Sequence, residues 1–197
     1  MTKSEETKKY IISVVAPIFN KYGYAATSMS QLTNATKLTK GAIYGNFKDK
    51  EELAVKAFKF NVKLLMSGIK EKTEQVDTSL EKLDAIINFY KDYYAYSKKF
   101  GGCPILNVGV DANNKNTLLL ENVKLIIKRI HDDIEKIIRD GIDNNELKSN
   151  LNAREWAIKI DSMIQGAIFM VYTMDDNLYM ELAMKQLNDI VNNQLKK

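Results

Sequence analysis

The residue types best suited to chemistry lie between positions 39 and 48. Placed at about 100° per residue on a helix, Ile43 and Phe47 share one face, while Gly41, Tyr44, Gly45 and Lys48 point the other way, with Lys40 at their margin. A lysine ammonium can reach acceptors on base edges, a tyrosine hydroxyl can donate to a phosphate, and glycines let a helix backbone come close to a groove. In so short a helix the two glycines cost roughly 1 kcal/mol each relative to alanine, so some contact must compensate for them. Close approach to nucleic acid would do so. An ordinary helical hairpin, in which the glycines admit a neighbouring helix, would do so as well, and spacing alone leaves both open.

Catalysis has little to work with. The single histidine, His131, and the single cysteine, Cys103, lie far apart in the chain, and no phosphate-binding glycine loop or metal-spaced cluster accompanies them. No enzyme activity, cofactor or metal is expected. His131 stands beside Asp132 and Asp133 and is expected to be solvated; Cys103 at a helix start is expected to be buried, with redox or electrophile sensing as the alternative. One cysteine cannot form an internal disulfide, and the opening Lys-Ser-Glu-Glu is not the apolar run of a secretory signal, so the expected compartment is the cytoplasm. The most apolar window, 156 to 172, is broken by Lys159, Asp161 and Gln165, so no membrane partner is expected.

The elements that must position residues 39 to 48 are helices. Two prolines and nine glycines punctuate 197 residues, 45% of them hydrophobic, and Lys, Leu, Ile, Ala, Met and Glu recur at spacings of three and four. That is an all-α pattern with enough apolar content for one substantial core. Ile11, Val14, Val15, Ile18, Phe19 and Tyr22 form one stripe ended by Gly23, with a kink expected at Pro17. Ser28 with Gln31 reads as a capping box opening a short second helix, Thr39 as the cap of a third running through Phe47, and Asp49 with Glu52 as the start of a long fourth. Further helices are predicted at about 79 to 99, 104 to 113, 116 to 140, 152 to 174 and 177 to 195, about nine in all. Charge is uneven: eight lysines against Glu5, Glu6 and Asp49 make residues 1 to 50 +5, leaving −1 for the rest of a chain whose net charge is +4. A solvated lysine-rich face accounts for this; so does a basic end that binds nucleic acid.

The run Gly23-Tyr24, Thr27-Ser28-Met29 and Leu38-Thr39-Lys40-Gly41-Ala42-Ile43-Tyr44-Gly45-Asn46-Phe47-Lys48-Asp49-Lys50-Glu51-Glu52-Leu53 closely resembles the DNA-binding segment of the tetracycline-repressor (TetR) family. Gly102-Cys103-Pro104-Ile105-Leu106-Asn107 is similar to a run in some members. The resemblance implies a three-helix helix-turn-helix domain at 1–50 and a helical ligand-binding and dimerisation domain at 51–197. It implies phosphate contacts from Thr27 and Ser28, reach toward the groove from Ser30 and Gln31, and a helix cap with a backbone contact from Thr39. Lys40, Gly41 and Ala42 would meet base edges, Tyr44 and Lys50 phosphate, and Asn46 the DNA backbone. Two positions depart from the pattern: Lys37 stands where glycine is common in the turn, and Gly45 replaces the usual aromatic after Tyr44. The first implies a strained or differently shaped turn.

Beyond the helix-turn-helix, the apolar residues near 156 to 171 cover more than one face of their helix, so burial from two sides is expected. By resemblance the last two helices form a four-helix homodimer interface, assigned to Trp156, Ile160, Met163, Ala167, Leu182, Leu187 and Ile190; a monomeric core helix is the alternative. Tyr90, Tyr93, Tyr94 and Phe100, with Cys103 and Gln165, are the candidate pocket for an unknown small-molecule effector, although core packing explains most aromatic clusters. The function expected is a ligand-responsive regulator, a repressor, binding a palindromic double-stranded DNA operator. A helical module of the same shape that binds protein is the alternative.

Overall fold

A computed structural model describes residues 2–113 and 115–197, and among these residues no strand forms; the backbone is ten α-helices, a terminal π-helical turn and one isolated bridge between Leu147 and Lys196. The helices are α1 (Lys3–Ala26), α2 (Met29–Thr36), α3 (Lys40–Tyr44), α4 (Lys50–Thr73), α5 (Ser79–Lys91), α6 (Tyr93–Lys98), α7 (Pro104–Ala112), α8 (Thr117–Asp143), α9 (Ala153–Met174) and α10 (Leu178–Ile190).

Local chemistry explains most of the starts. Capping boxes join Thr2 to Glu5, Ser28 to Gln31 and Thr78 to Glu81, each a hydroxyl accepting an orphan amide while the acid or amide side chain reaches back. Asp49 Oδ1 accepts from the Glu52 amide at 2.8 Å and Asn152 Oδ1 from that of Glu155 at 3.1 Å. Two breaks differ from expectation. In α1 the dihedrals stay helical through Pro17 and depart at Gly23 (φ 79°), after which one further turn runs to Ala26. The single helix expected at 79 to 99 is divided at Asp92 (φ −95°, ψ 0°), which makes the count ten and not nine. Nothing in the residue types around Asp92 signals that break, since it needs neither glycine nor proline.

The chain forms two compact units. One holds the residues up to Leu65 together with Ser97–Lys124; the other holds Met66–Tyr96 and Leu125–Lys197. In the first, α1 packs on α2 and α7 around Ile11, Val15, Phe19, Leu32, Ile43 and Phe58. Two asparagines on α1 and α4 close this core with hydrogen bonds: Asn20 Nδ2 donates to the carbonyls of Phe100 and Gly102, and Asn61 Nδ2 donates to that of Ala16. In the second unit α10 packs against α5 and α9, and the core is built from Leu83, Ile87, Ile138, Ile164, Ile168 and Met180. Its C-terminal end is tied down by the Lys148 amide donating to Leu195 O at 2.9 Å and the Lys197 amide to Glu146 O at 3.1 Å.

Candidate nucleic-acid interface

Helix α3 is short, and its one regular turn is held at both ends. Thr39 Oγ1 accepts from the Ala42 amide at 3.1 Å at the start; at the end Asn46 Nδ2 donates to Ala42 O at 2.9 Å. The helix expected to reach Phe47 ends at Tyr44: the Gly45 amide still donates to Gly41 O at 2.8 Å, and the Asn46 amide then turns the chain through a tighter bond to Ile43 O at 3.0 Å. Ile43 and Phe47 nevertheless face inward and are buried, as the wheel requires, while Thr39, Lys40, Gly41 and Tyr44 are exposed and Ala42 is partly so. The Lys40 ammonium lies 5.8 Å from the Tyr44 ring centroid, so the two side chains share one outward patch.

The turn between α2 and α3 carries strain. Lys37 adopts the left-handed conformation (φ 58°, ψ 25°), which costs an L-residue with a β-carbon roughly 1–2 kcal/mol. The glycine usual at this position would adopt it freely. Thr36 steadies the turn from the inside: its hydroxyl donates to Leu32 O at 2.8 Å, and its carbonyl accepts from the Tyr10 hydroxyl at 3.0 Å.

Several residues read as DNA contacts are occupied within the protein. Thr27 is fully buried, with its hydroxyl donating to Gly23 O at 2.6 Å. Ser28 and Gln31 are exposed but hold each other in the capping box; Ser30 is exposed beside them. Lys50 Nζ donates to Tyr24 O at 2.6 Å and sits 4.4 Å from the Tyr24 ring centroid. Burial lowers its pKa from the usual lysine value, and the Asp111 carboxylate opposes that shift. Asp111 on α7 also accepts from the Tyr24 amide at 2.7 Å. A β-carbon on Gly23 would lie 2.8 Å from that carboxylate, so glycine is required here by both φ and space. Lys50, Tyr24 and Asp111 thus form one cluster that anchors the end of α1 to α4 and α7. Lysine at the head of a helix gave no sign of this; the carbonyl it meets is 26 residues away.

The second unit contains a cavity of about 560 Å³ between the end of α4, α5, α8 and α9. Of the six residues named for a pocket, Tyr90 lines it, and Gln165 donates to the lining residue Asp161 at 3.0 Å. Tyr93 is buried against Phe89 and Tyr90, with ring centroids 5.9 and 5.2 Å away. Tyr94 packs on Tyr172 and hydrogen-bonds Asp175, while Phe100 and Cys103 belong to the other unit, where Cys103 is buried. His131 is not the solvated residue expected from its neighbours. Its side chain is 15% exposed and its Nε2 lies 2.9 Å from Asp161 Oδ2, a partner 30 residues on in sequence.

On α9 and α10 the periodicity identified apolar helices without distinguishing their faces. Ile160, Ala167 and Leu187 are already covered by their own chain. Trp156, Met163 and Ile190 are half-buried, and Leu182 is exposed. The outward stripe consists of Ile158, Ser162, Gly166 and Phe169 on α9 with Leu178 and Leu182 on α10.

A short helix that seats its inner face on a buried core and turns a lysine, a glycine and a tyrosine outward after a tight turn makes α2 and α3 the helix-turn-helix of a DNA-binding regulator. Residues 11–57 match the description "Bacterial regulatory proteins, tetR family", and residues 79–187 match "Tetracyclin repressor-like, C-terminal domain". The chain therefore belongs to the TetR family of transcriptional regulators. A TetR-family regulator from Cytophaga hutchinsonii is 30% identical and superposes with a TM-score of 0.92 over 100% of this chain and 98% of that one. The HTH-type transcriptional regulator YxaF of Bacillus subtilis is 23% identical over 97% of this chain and 98% of its own length. The fold is shared with the regulator FadR of Bacillus subtilis in complex with stearoyl-CoA, at 19% identity and a TM-score of 0.77 over 94% of this chain and 97% of that one. No helix among the described residues is long and apolar enough to cross a membrane.

Proposed function

We propose that this regulator is a repressor that binds a palindromic operator as a homodimer and releases it when a small molecule occupies the cavity of the second unit. The observation that carries the DNA reading is the exposed face of α3, where Lys40, Gly41 and Tyr44 stand clear of the protein while Ile43 and Phe47 hold the helix from behind. Thr39, Ser30 and Ala42 border that face and complete it. Lys50, Thr27, Ser28 and Gln31 serve it through the fold, by fixing the turns and helix starts that aim α3. The homodimer reading rests on the outward stripe of α9 and α10, which leaves large apolar side chains uncovered by the chain itself. Release requires the ligand to favour a spacing of the two reading heads that does not fit the operator.

Base selectivity follows from what α3 lacks. The chain's three arginines, Arg129, Arg139 and Arg154, all belong to the second unit, and Arg139 and Arg154 are engaged there by Glu135 and Asp132. The planar fork that reads guanine most strongly is therefore missing from the helix. Lys40 offers a flexible point charge and Ala42 an apolar surface suited to a thymine methyl. Lys40→Ala is expected to relax base preference at one or two symmetric operator positions by about 1–3 kcal/mol, while leaving the thermal midpoint unchanged. Binding of the variant to single-base operator changes measures this. A variant with unaltered base preference would remove Lys40 from the reading surface.

A further inference from the structure

The cavity in the second unit holds one buried carboxylate, and the ligand class inferred from it rests on the reading of the cavity as the effector site. The apolar part of its lining is mostly isoleucine, with Ile69, Ile86, Ile130, Ile134 and Ile137 beside the ring of Tyr90. Among them Asp161 is the one charged side chain of the described residues that is buried, at 4% exposure. It sits on the inward stripe of α9 with Ala157, Ile160, Ile164 and Ile168. A carboxylate in such surroundings is costly unless donors and an opposite charge meet it.

Two side chains already meet it: Gln165 Nε2 donates to Oδ1 at 3.0 Å, and His131 Nε2 lies 2.9 Å from Oδ2. The amide of Gln165 is neutral, so no permanently charged side chain of the protein meets the carboxylate. A carboxylate has about four acceptor directions, which leaves room for a further donor. The cationic side chains of the lining lie elsewhere. Lys70 and Arg129 are strongly exposed and turn to Glu74 and Asp133 on their own helices, at 3.4 and 4.0 Å. Lys82 and Lys136 also line the cavity, and no hydrogen bond or ion pair joins either to Asp161. The buried end of the cavity is thus acidic and its basic groups are largely solvated, where water and salt screen them.

We propose that the cavity takes a cationic amphiphile, an ammonium group on an apolar body, and that the ammonium is received by Asp161. An ammonium supplies a further donor and a full positive charge to the carboxylate, and the isoleucines take the hydrocarbon. A carboxylate ligand would meet Asp161 as a like charge.

The test uses calorimetry on the full-length protein with three probes of equal chain length, octylamine, octanol and octanoate. Wild type is expected to bind octylamine about tenfold or more tighter than octanol, because charge-assisted bonds are roughly twice as strong as neutral ones, and octanoate weakest. Asp161→Asn should abolish the preference for the amine while keeping octanol affinity within about twofold, since the amide is isosteric and uncharged. If that variant does not fold, the wild-type ranking decides alone. Ile137→Trp, which fills the cavity, should remove binding of all three probes. Octanoate binding as tightly as octylamine, or an amine preference that survives in Asp161→Asn, overturns the proposal while leaving the cavity as a ligand site, provided Ile137→Trp still blocks binding. Failure of every probe to bind, or binding indifferent to Ile137→Trp, overturns the cavity reading and this proposal together.

Discussion

Phe169→Asp combined with Leu182→Asp should yield a folded monomer of 22.5 kDa whose affinity for an operator duplex is lower than that of wild type by about a hundredfold or more. The two side chains are 52% and 58% exposed in the single chain and lie outside its buried core, so replacing them costs little packing within it, and the fold should be retained. In a dimer the same positions would be buried, and two aspartates brought there without partners oppose association through desolvation and mutual repulsion. The effect on DNA is larger than on either contact alone. Once one head is bound, its twin meets the second half-site at an effective concentration in the millimolar range, and this gain of about 10²–10⁴ disappears in a monomer. Sedimentation and anisotropy titrations on the same sample measure both halves of the claim. A double variant that remains dimeric would place the interface elsewhere, and a monomer that binds as tightly as wild type would end the two-headed account.

Gly101→Ala should destabilise the first unit by roughly 2–5 kcal/mol, the sum of a left-handed alanine and an overpacked contact. Gly101 has φ +84°, and a β-carbon there would lie 2.9 Å from Pro17 O and 3.0 Å from Lys21 N. Those neighbours are backbone of α1 and cannot swing aside. The contact is close because it is bonded on both sides: Asn20 Nδ2 donates to Phe100 O and Gly102 O at 2.8 Å each, and Asn107 Nδ2 donates to Gly101 O at 3.0 Å and Asn20 O at 2.9 Å. Forcing α1 outward would strain these bonds together. Denaturant unfolding followed by circular dichroism gives the number. A loss under about 0.5 kcal/mol, the range of ordinary surface changes, would mean that the glycine pair is a passive linker.

This network also gives the Gly102-to-Asn107 run a physical meaning. The run could be matched to a family pattern, but its partner Asn20 lies more than 80 residues away, and only folding brings them together. The same limit separates what was legible from what was not. Helix starts were readable at Ser28 with Gln31 and at Asp49 with Glu52, because a cap bond joins residues three apart. The inward face of α3 was readable because Ile43 and Phe47 lie one turn apart. The bond from Lys50 to the Tyr24 carbonyl was not, since the two lie 26 residues apart; nor was the partner of His131, which is not one of its aspartate neighbours in sequence. On α9 and α10 apolar residues surround the helix, so period alone could not separate the protomer's own core at Ile160 and Leu187 from the outward stripe at Phe169 and Leu182.

The most direct measurement is selection of duplex DNA from a randomised library by the full-length protein, followed by titration of the enriched duplex against salt. An exposed α3 face with a lysine and no arginine predicts palindromic, A·T-rich half-sites whose centres lie about one helical turn, or a multiple of it, apart. It also predicts that log affinity falls linearly with log salt, because each phosphate contact releases condensed counterions. Enrichment of G·C-rich half-sites would contradict the reading of α3. No enrichment at all, or binding indifferent to salt, would contradict the central claim that this chain recognises an operator.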